Sequence, residues 1–190
     1  MKNLLVGLVI FLLLKDLIFN KNDSKNMYKY DSKLSSSERI KNWFNWIVPI
    51  IKPIAKEYGI PYEALAVQTG WETAWGKSSL INEAFNFAGI KAVKGQPYVV
   101  KRTHEYRVKD GKKVKVYEDA KFRKFDSLED GLKGYANFFH KNKRYASALE
   151  TKDPYEFISR IHKAGYATSP NYTKNLHGVL DKYLQYIHSV

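Results

Sequence analysis

Apolar side chains recur at intervals of three and four residues over most of the chain, which is the spacing of one buried helix face. The first such segment carries these apolar positions: Ile40, Trp43, Phe44, Ile47, Ile50, Ile51, Ile54 and Ala55. Ser35 and Glu38 in front of it have the spacing of a capping box. Pro49 and Pro53 predict that this helix is kinked or split.

Local signals mark the starts of further helices. The predicted starts are Pro61, Ser127 after Asp126, Asp153 before Pro154, and Ser169 before Pro170. The helix that opens at Pro61 is expected to end or bend at Gly76, and Glu156 completes a capping box with Asp153. The last helix has this apolar face: Leu176, Val179, Leu180, Tyr183, Leu184 and Ile187.

The middle of the chain lacks this helical spacing of apolar residues. Between Val99 and Tyr117, two β-prone runs flank Asp110 and Gly111, a dipeptide typical of a two-residue hairpin turn. Residues 81–96 are rich in Asn and Gly and predict a loop with a short helix. The sequence therefore predicts an α+β fold: a mainly α domain with one β-hairpin inserted in its middle.

The N-terminus carries an almost unbroken apolar run, Leu4–Leu14, with lysines at both ends. A full membrane span needs about 20 apolar residues, so the run is marginal, and no small-x-small cleavage site follows Phe19. We expect an uncleaved membrane-anchor helix over residues 1–19, a polar linker over 20–34, and the folded domain over 35–190. The flanking lysines leave the orientation open.

Composition narrows the range of functions. A net charge of +13 favours polyanionic partners such as nucleic acid, anionic lipid or charged wall polymers, and it also fits plain solubility. The sequence shows no nucleic-acid-binding motif. It has no cysteine, and its five histidines lack metal-ligand spacing, so neither a metal site nor a cofactor is expected.

One acidic residue stands out between two tryptophans. Glu72 follows Trp71 directly and precedes Trp75 by three residues, which are neighbouring positions if the helix continues. A carboxyl held against an indole in a water-poor cleft keeps its proton near neutral pH, as a general acid for sugar chemistry must. The plain alternative is an exposed helix glutamate beside two core aromatics.

Several segments in order resemble a known family of wall-degrading enzymes. They are Gln68–Ser78 (Q-x-x-x-E-[ST]-x-W-G-x-S), Asn86–Lys91 (N-x-x-G-I-K), Thr103–Tyr106 (T-x-E-Y), Phe122–Ser127 (F-R-x-[YF]-x-S) and Gly165–Tyr172 (G-Y-A-T-D-P-x-Y). Together they resemble the glucosaminidase domain family, glycoside hydrolase family 73, over roughly residues 36 to 188. The resemblance implies a lysozyme-like layout and hydrolysis of the β-1,4 bond after N-acetylglucosamine in peptidoglycan.

The resemblance also implies residue roles. The implied catalytic residues are Glu72 as general acid, Glu105 as a second carboxylate on the hairpin, and Tyr166 near the acid. The implied substrate-binding residues are Trp75, Asn86, Tyr106 and Tyr172. Ser169 stands where the family commonly has aspartate, and we expect it still to cap the last helix. Plainer roles remain open: a surface ion pair for Glu105, a buried structural tyrosine for Tyr166, and core packing for Trp75 and Asn86.

Other functions compete with this one. A muramidase or lytic transglycosylase would share the helical layout and the single acid, while an inactive wall-binding module would keep the fold alone. The nucleophile is equally open: a water activated by Glu105, a covalent carboxylate, or the substrate's own N-acetyl group. We expect a membrane-anchored domain facing the cell wall, either in a wall-remodelling enzyme of a cell or in a phage lysin. The sequence leaves the oligomeric state undecided.

Overall fold

Helices dominate the described part of the chain, and one two-stranded antiparallel sheet interrupts them. This computed structural model describes residues 27–109 and 112–190, and for residues 104–109, 112, 113 and 115 it describes the backbone alone. The elements are α1 (Ser36–Tyr58), α2 (Tyr62–Glu72), α3 (Ser79–Ala84), β1 (Tyr98–Lys109), β2 (Lys112–Arg123), α4 (Leu128–Lys141), a 3-10 turn (Lys143–Tyr145), α5 (Ala146–Leu149), α6 (Pro154–Lys163) and α7 (Tyr172–Ser189). The predicted α+β class, a mainly helical domain with an inserted hairpin, is confirmed.

Helix α1 runs unbroken through both of its prolines, so of the predicted kink or split the split does not occur. Pro49 and Pro53 lie one turn apart on the exposed face, where carbonyls that lack an N–H partner can bond to water. The opposite face is buried in the core. The predicted capping box is confirmed: the backbone N–H of Ser35 donates to Glu38 at 2.8 Å, and that of Glu38 donates to the Ser35 hydroxyl at 3.3 Å.

The hairpin forms where the sequence placed it. Its register runs from Tyr98 opposite Arg123 to Lys109 opposite Lys112. That last pair leaves two residues between the strands, as predicted, and these two lie outside the described residues. Strand β2 extends beyond the predicted end at Tyr117. A salt bridge of 2.6 Å between Lys101 and Glu83 joins the hairpin to α3.

The domain reaches further toward the N-terminus than predicted. Tyr28 is buried and packs its ring edge-on against Trp43, with 5.1 Å between ring centroids. Its ring also approaches Trp46 at 5.2 Å, so the end of the predicted linker belongs to the folded domain. The expected anchor, residues 1–19, lies outside the described residues. Within residues 27–109 and 112–190, no helix is long and apolar enough to cross a membrane.

The remaining helix starts are confirmed with one exception. Ser127 caps α4, and Asp153 caps α6 by accepting from two backbone N–H groups. Glu156 pairs with Arg160 at 2.7 Å; a capping box with Asp153 is not formed. Helix α7 begins at Tyr172, after the turn that follows Ser169, so the prediction that Ser169 caps it is wrong.

Candidate active site

Glu72 is the last residue of α2, and an unusual turn follows it. The backbone N–H of Thr73 donates to the Thr69 carbonyl at 3.2 Å, and the Thr73 hydroxyl donates to the same oxygen at 2.6 Å. Ala74 and Trp75 then take left-handed backbone angles, with φ of 50° and 59°, conformations that cost a non-glycine residue energy. These two hydrogen bonds of Thr73 fix the chain where Glu72 leaves the helix.

Packing holds this strained turn in place. The Trp75 backbone N–H donates to the Gly70 carbonyl at 2.6 Å. The indole ring of Trp75 folds back over Gly70. There it meets Phe44 edge-on, with 5.6 Å between ring centroids. Because α2 ends at Glu72, the prediction that Trp75 follows on the same helix is wrong. Trp75 packs against the core and thereby fixes the turn behind the acid.

Two phenols converge on the carboxyl of Glu72. The Tyr172 hydroxyl donates to Glu72 Oε1 at 3.5 Å, and Gln68 Nε2 donates to that hydroxyl oxygen at 3.0 Å. Tyr166 lies near the same carboxyl and lowers the pKa of Glu72 as a donor. The hydroxyl oxygens of Tyr166 and Tyr135 are 2.9 Å apart, which connects Tyr135 to the same network.

Protein surroundings shift the proton affinity of Glu72. The residue is exposed along part of its surface, while atoms packed around the carboxyl withdraw it from water. This burial raises the pKa of Glu72 above its ordinary value, and hydrogen bonds from Tyr172 and Tyr166 lower it to a smaller extent. The result is a reachable carboxyl that holds its proton more firmly than a free glutamate, as a general acid requires.

The three phenols stay protonated at neutral pH. Burial raises the pKa of Tyr135 and Tyr166 well above the ordinary value, and the Glu72 charge adds to the shift. Burial and the same charge also raise the pKa of Tyr172. The Tyr166 ring stacks on Phe139 with 5.8 Å between centroids, which fixes its direction. These tyrosines therefore serve as neutral donors around the acid.

The structure gives Asn86 a different role from the one predicted. Its side chain is 1% exposed. Its Nδ2 donates to the carbonyls of Ile90 and Arg123 at 2.9 and 2.8 Å, and its Oδ1 accepts from the Ile90 N–H at 2.9 Å. Both amide hydrogens are committed to backbone, so the prediction that Asn86 binds substrate is corrected: it ties the loop before the hairpin to the end of β2.

The predicted hairpin residues are placed by backbone only. Glu105 lies opposite Val116 and Tyr106 opposite Lys115 in the register of β1 and β2. The side chains of Glu105 and Tyr106 lie outside the described part of the structure. Their distances to Glu72 therefore stay open, and their roles stay predictions.

Tyr172 and two further residues change the predicted site. Tyr172 is 3% exposed, and its hydroxyl forms hydrogen bonds with both Gln68 and Glu72. It is therefore a buried residue that holds the carboxyl of the acid. Gln68 and Tyr135 were not predicted as site residues. Gln68 had a signal, since it stands one helical turn before Glu72 on the same face. Tyr135 had none, because it continues an apolar helix face.

Two other features, clusters of possible metal ligands and a cavity, are considered beside the site around Glu72. Among residues 27–109 and 112–190, no group of three or more His, Asp or Glu could hold a metal ion. A cavity of about 440 Å³ lies between the base of the hairpin and α4. Its walls include Arg123, Phe125 and Asn137, and Glu72 is not among them.

Known proteins share this sequence pattern. Residues 48–185 match a family described as glucosaminidase, mannosyl-glycoprotein endo-beta-N-acetylglucosaminidase. The chain is 31% identical over 135 residues to peptidoglycan hydrolase FlgJ of Pseudomonas aeruginosa, covering 68% of this chain and 33% of that protein. It is 30% identical over 117 residues to exo-glucosaminidase LytG of Bacillus subtilis, covering 59% of this chain and 40% of that protein.

A solved structure shares the fold as well. The C-terminally truncated glycoside hydrolase domain of Salmonella typhimurium FlgJ superposes with a TM-score of 0.62 at 26% identity. The match covers 77% of this chain and 98% of that domain. Against whole curated relatives the span is shorter, 33% of the Pseudomonas aeruginosa protein and 46% of FlgJ from Vibrio parahaemolyticus.

Proposed function

Because the chain belongs to the glucosaminidase family, we propose that it is a peptidoglycan hydrolase that cleaves the β-1,4 bond after N-acetylglucosamine. The family match confirms the resemblance carried by the sequence motifs. One observation carries the proposal: Glu72 ends α2 with its carboxyl reachable, its pKa raised, and the phenols of Tyr172 and Tyr166 beside it. The names of the similar proteins, peptidoglycan hydrolase and exo-glucosaminidase, support the same substrate class.

In the first step Glu72 acts as the general acid. It gives its proton to the glycosidic oxygen while the bond from that oxygen to the anomeric carbon breaks. The carboxylate left behind is stabilised by Tyr172 and Tyr166, which remain protonated donors. The raised pKa favours retention of the proton until the glycosidic oxygen takes it, and the hydrogen bonds from the two phenols stabilise the carboxylate that remains.

The second carboxylate of the reaction is proposed to be Glu105. Alternate positions of a strand share one face, so position 105 shares a face with positions 101 and 103. Lys101 on that face binds Glu83 of α3, so this face of the hairpin is turned toward the helices. A base at position 105 would remove a proton from the water that attacks the anomeric carbon.

Replacing Glu105 tests this role. If Glu105 is the base, Glu105→Gln lowers kcat by roughly 10² or more, because a positioned base contributes about that much. Glu118→Gln is the matched control, since position 118 pairs with Thr103 on the same hairpin face. If Glu105→Gln keeps most of the wild-type rate, the base role is wrong, and the substrate's N-acetyl group assisted by Tyr166 becomes the nucleophile.

The bond cleaved can be identified directly from the products. The full chain and its Glu72→Gln variant are incubated with peptidoglycan, and released fragments are measured by mass spectrometry. Reducing N-acetylglucosamine ends that are absent with the variant are the expected result. Reducing or anhydro N-acetylmuramic ends would replace the bond assignment by a muramidase or transglycosylase. No release from several wall types by folded protein would replace the enzyme by a wall-binding module.

We propose further that residues 1–19 anchor the domain to a membrane, with residues 35–190 facing the cell wall. The apolar run Leu4–Leu14 and the absence of a small-x-small site after Phe19 support this. The expected result is that the full chain sediments with membranes and resists extraction by high salt, whereas a chain lacking residues 1–19 stays in the supernatant. Equal partitioning of the two would reject the anchor.

A further inference from the structure

We propose that Gln68 is a positioning residue that fixes the direction of the Tyr172 phenol proton, so that Oε1 of Glu72 is kept as a hydrogen-bond acceptor and the catalytic proton resides on Oε2. The inference rests on the proposed role of Glu72 as general acid. It assigns to the first residue of the Gln68–Ser78 motif a task that is separate from packing.

The distances support a relay of hydrogen bonds that runs in one direction, from the Gln68 amide to the Tyr172 hydroxyl and from that hydroxyl to Glu72. Gln68 stands one turn before Glu72 in α2 and is 0% exposed. Its Nε2 donates to the Tyr172 hydroxyl oxygen at 3.0 Å. A phenol has one proton, and with an N–H already directed at its oxygen, that proton is left for Glu72 Oε1 at 3.5 Å.

The relay restricts where Glu72 can carry its proton. A proton on Oε1 would face a phenol oxygen that already accepts from Gln68 and whose own hydrogen points at the same carboxyl oxygen. A proton on Oε2 meets no such conflict with Tyr172. The relay therefore assigns one carboxyl oxygen to hold position and the other to deliver the proton, which sets the side of the carboxyl from which the glycosidic oxygen is approached.

The buried, unpaired oxygen of the Gln68 side chain indicates that this amide has a role other than packing. Gln68 Oε1 is buried and has no hydrogen-bond partner among the described residues. A buried polar atom left unpaired lowers stability, and a methionine would fill nearly the same volume without that penalty. Neighbouring groups fix the phenol ring itself: His162 packs against it with 5.4 Å between ring centroids. Gln68 is left to set the direction of the hydroxyl hydrogen.

A double-mutant cycle tests the relay with Gln68→Met, Tyr172→Phe and both together. The pKa of Glu72 is measured without substrate by carbon NMR titration, and the alkaline limb of kcat/KM is measured with peptidoglycan fragments. Tyr172→Phe is expected to raise the pKa because it removes a donor that lowers it. Gln68→Met is expected to raise it as well, since the freed phenol can then accept from protonated Glu72, and to lower kcat roughly 3- to 30-fold.

The decisive result is the behaviour of the double variant. If Gln68 acts through Tyr172, Gln68→Met has no further effect on the pKa or the alkaline limb once Tyr172 is phenylalanine. Full additivity would overturn the relay, and so would an unchanged pKa in Gln68→Met. Ile51→Val, a buried change in α1 away from Glu72, controls for lost stability: it is expected to lower Tm and leave the alkaline limb in place.

A second substitution of Gln68 keeps the proposal testable if Gln68→Met does not fold. Gln68→Glu keeps the side-chain shape, and its ionised carboxylate would accept the phenol proton and turn it away from Glu72. It is therefore expected to move the alkaline limb further upward than Gln68→Met, and an unmoved limb would count against the relay. The NMR readout needs no substrate. Thus a wild type that releases no saccharide rejects the proposed function, and an additive cycle in an active enzyme rejects the relay alone.

Discussion

Replacing Glu72 by glutamine should abolish activity and at the same time stabilise the protein at neutral pH. The amide keeps the shape of the side chain and removes both the proton and the charge. Activity should fall by about 10²–10⁴, the usual contribution of a positioned acid. Stability should rise because burial makes this carboxyl harder to ionise in the folded chain than in the unfolded chain, which is what its raised pKa means.

The sign and the size of the stability effect follow from proton linkage. Since the pKa of Glu72 is higher in the folded than in the unfolded chain, the native state binds more protons between those two values. Wild-type stability therefore falls as pH rises through that window, by at most about 1.4 kcal/mol per pH unit for a single proton. The variant lacks this loss. Its advantage should be absent below the unfolded pKa, grow through the window and stay constant above the folded pKa.

Two assays with one matched control measure both effects. Saccharide release is followed at the pH optimum of the wild type, and thermal unfolding is followed at several pH values from acid to neutral. Glu150→Gln makes the same chemical change at an exposed carboxylate that lies 3.8 Å from Arg160. This control should keep wild-type activity and change the free energy of unfolding by no more than about 0.5 kcal/mol.

Either half of the prediction can fail separately. A Glu72→Gln variant that keeps more than about a tenth of the wild-type rate would remove Glu72 from the role of acid. A variant that is inactive, yet less stable than the wild type at neutral pH, would show that the folded protein favours the charged carboxylate. In that case the two phenols, and not burial, dominate the proton affinity of Glu72.

Three further predictions concern the backbone contacts of Asn86, the packing at Gly70 and the charged surface. Asn86→Ala should lower the free energy of unfolding by about 2–4 kcal/mol and Tm by roughly 4–15 °C, because three backbone groups lose their partner; a raised KM at unchanged Tm would restore a substrate role. Gly70→Ala should cost about 1–3 kcal/mol, since the added Cβ would collide with the Trp75 ring and approach Trp43 Nε1 at 2.9 Å; wild-type Tm would show that the turn can move. Cosedimentation with insoluble peptidoglycan should weaken with added salt, given the net charge of +13, and salt-independent binding would contradict this.

Signals confined to a few neighbouring residues were predicted well. The capping residues Ser35, Ser127 and Asp153 were found where the sequence placed them, because a cap requires only groups two or three residues apart. The hairpin around residues 110–111 followed from an equally local pattern. The prolines of α1 do not split the helix, because both lie on its exposed face while the opposite face is buried in the core.

The surroundings of the acid could not be predicted in the same way. Tyr172 reaches Glu72 across 100 positions of the sequence and Gln68 across 104, and only packing of α7 against α2 brings them together. The turn after Glu72 was missed for a related reason. Left-handed angles at Ala74 and Trp75 are disfavoured locally, and the ring of Trp75 over Gly70 supplies the compensation.

Two predictions made from the sequence, for Ser169 and for Tyr172, concern the start of α7. Ser169 was expected to cap α7, which would place Tyr172 at the third position of its first turn, and Tyr172 was expected to bind substrate. In the structure α7 begins at Tyr172, and the Tyr172 N–H donates to the Ser169 carbonyl at 3.1 Å. Tyr166 stands in the turn that ends α6, where its N–H donates to the Ile161 carbonyl at 3.0 Å, and Tyr172 enters the core at the first helical position of α7. The two phenols thus reach one carboxyl from the two ends of the segment that joins α6 to α7, and that carboxyl is the acid from which the proposed chemistry starts.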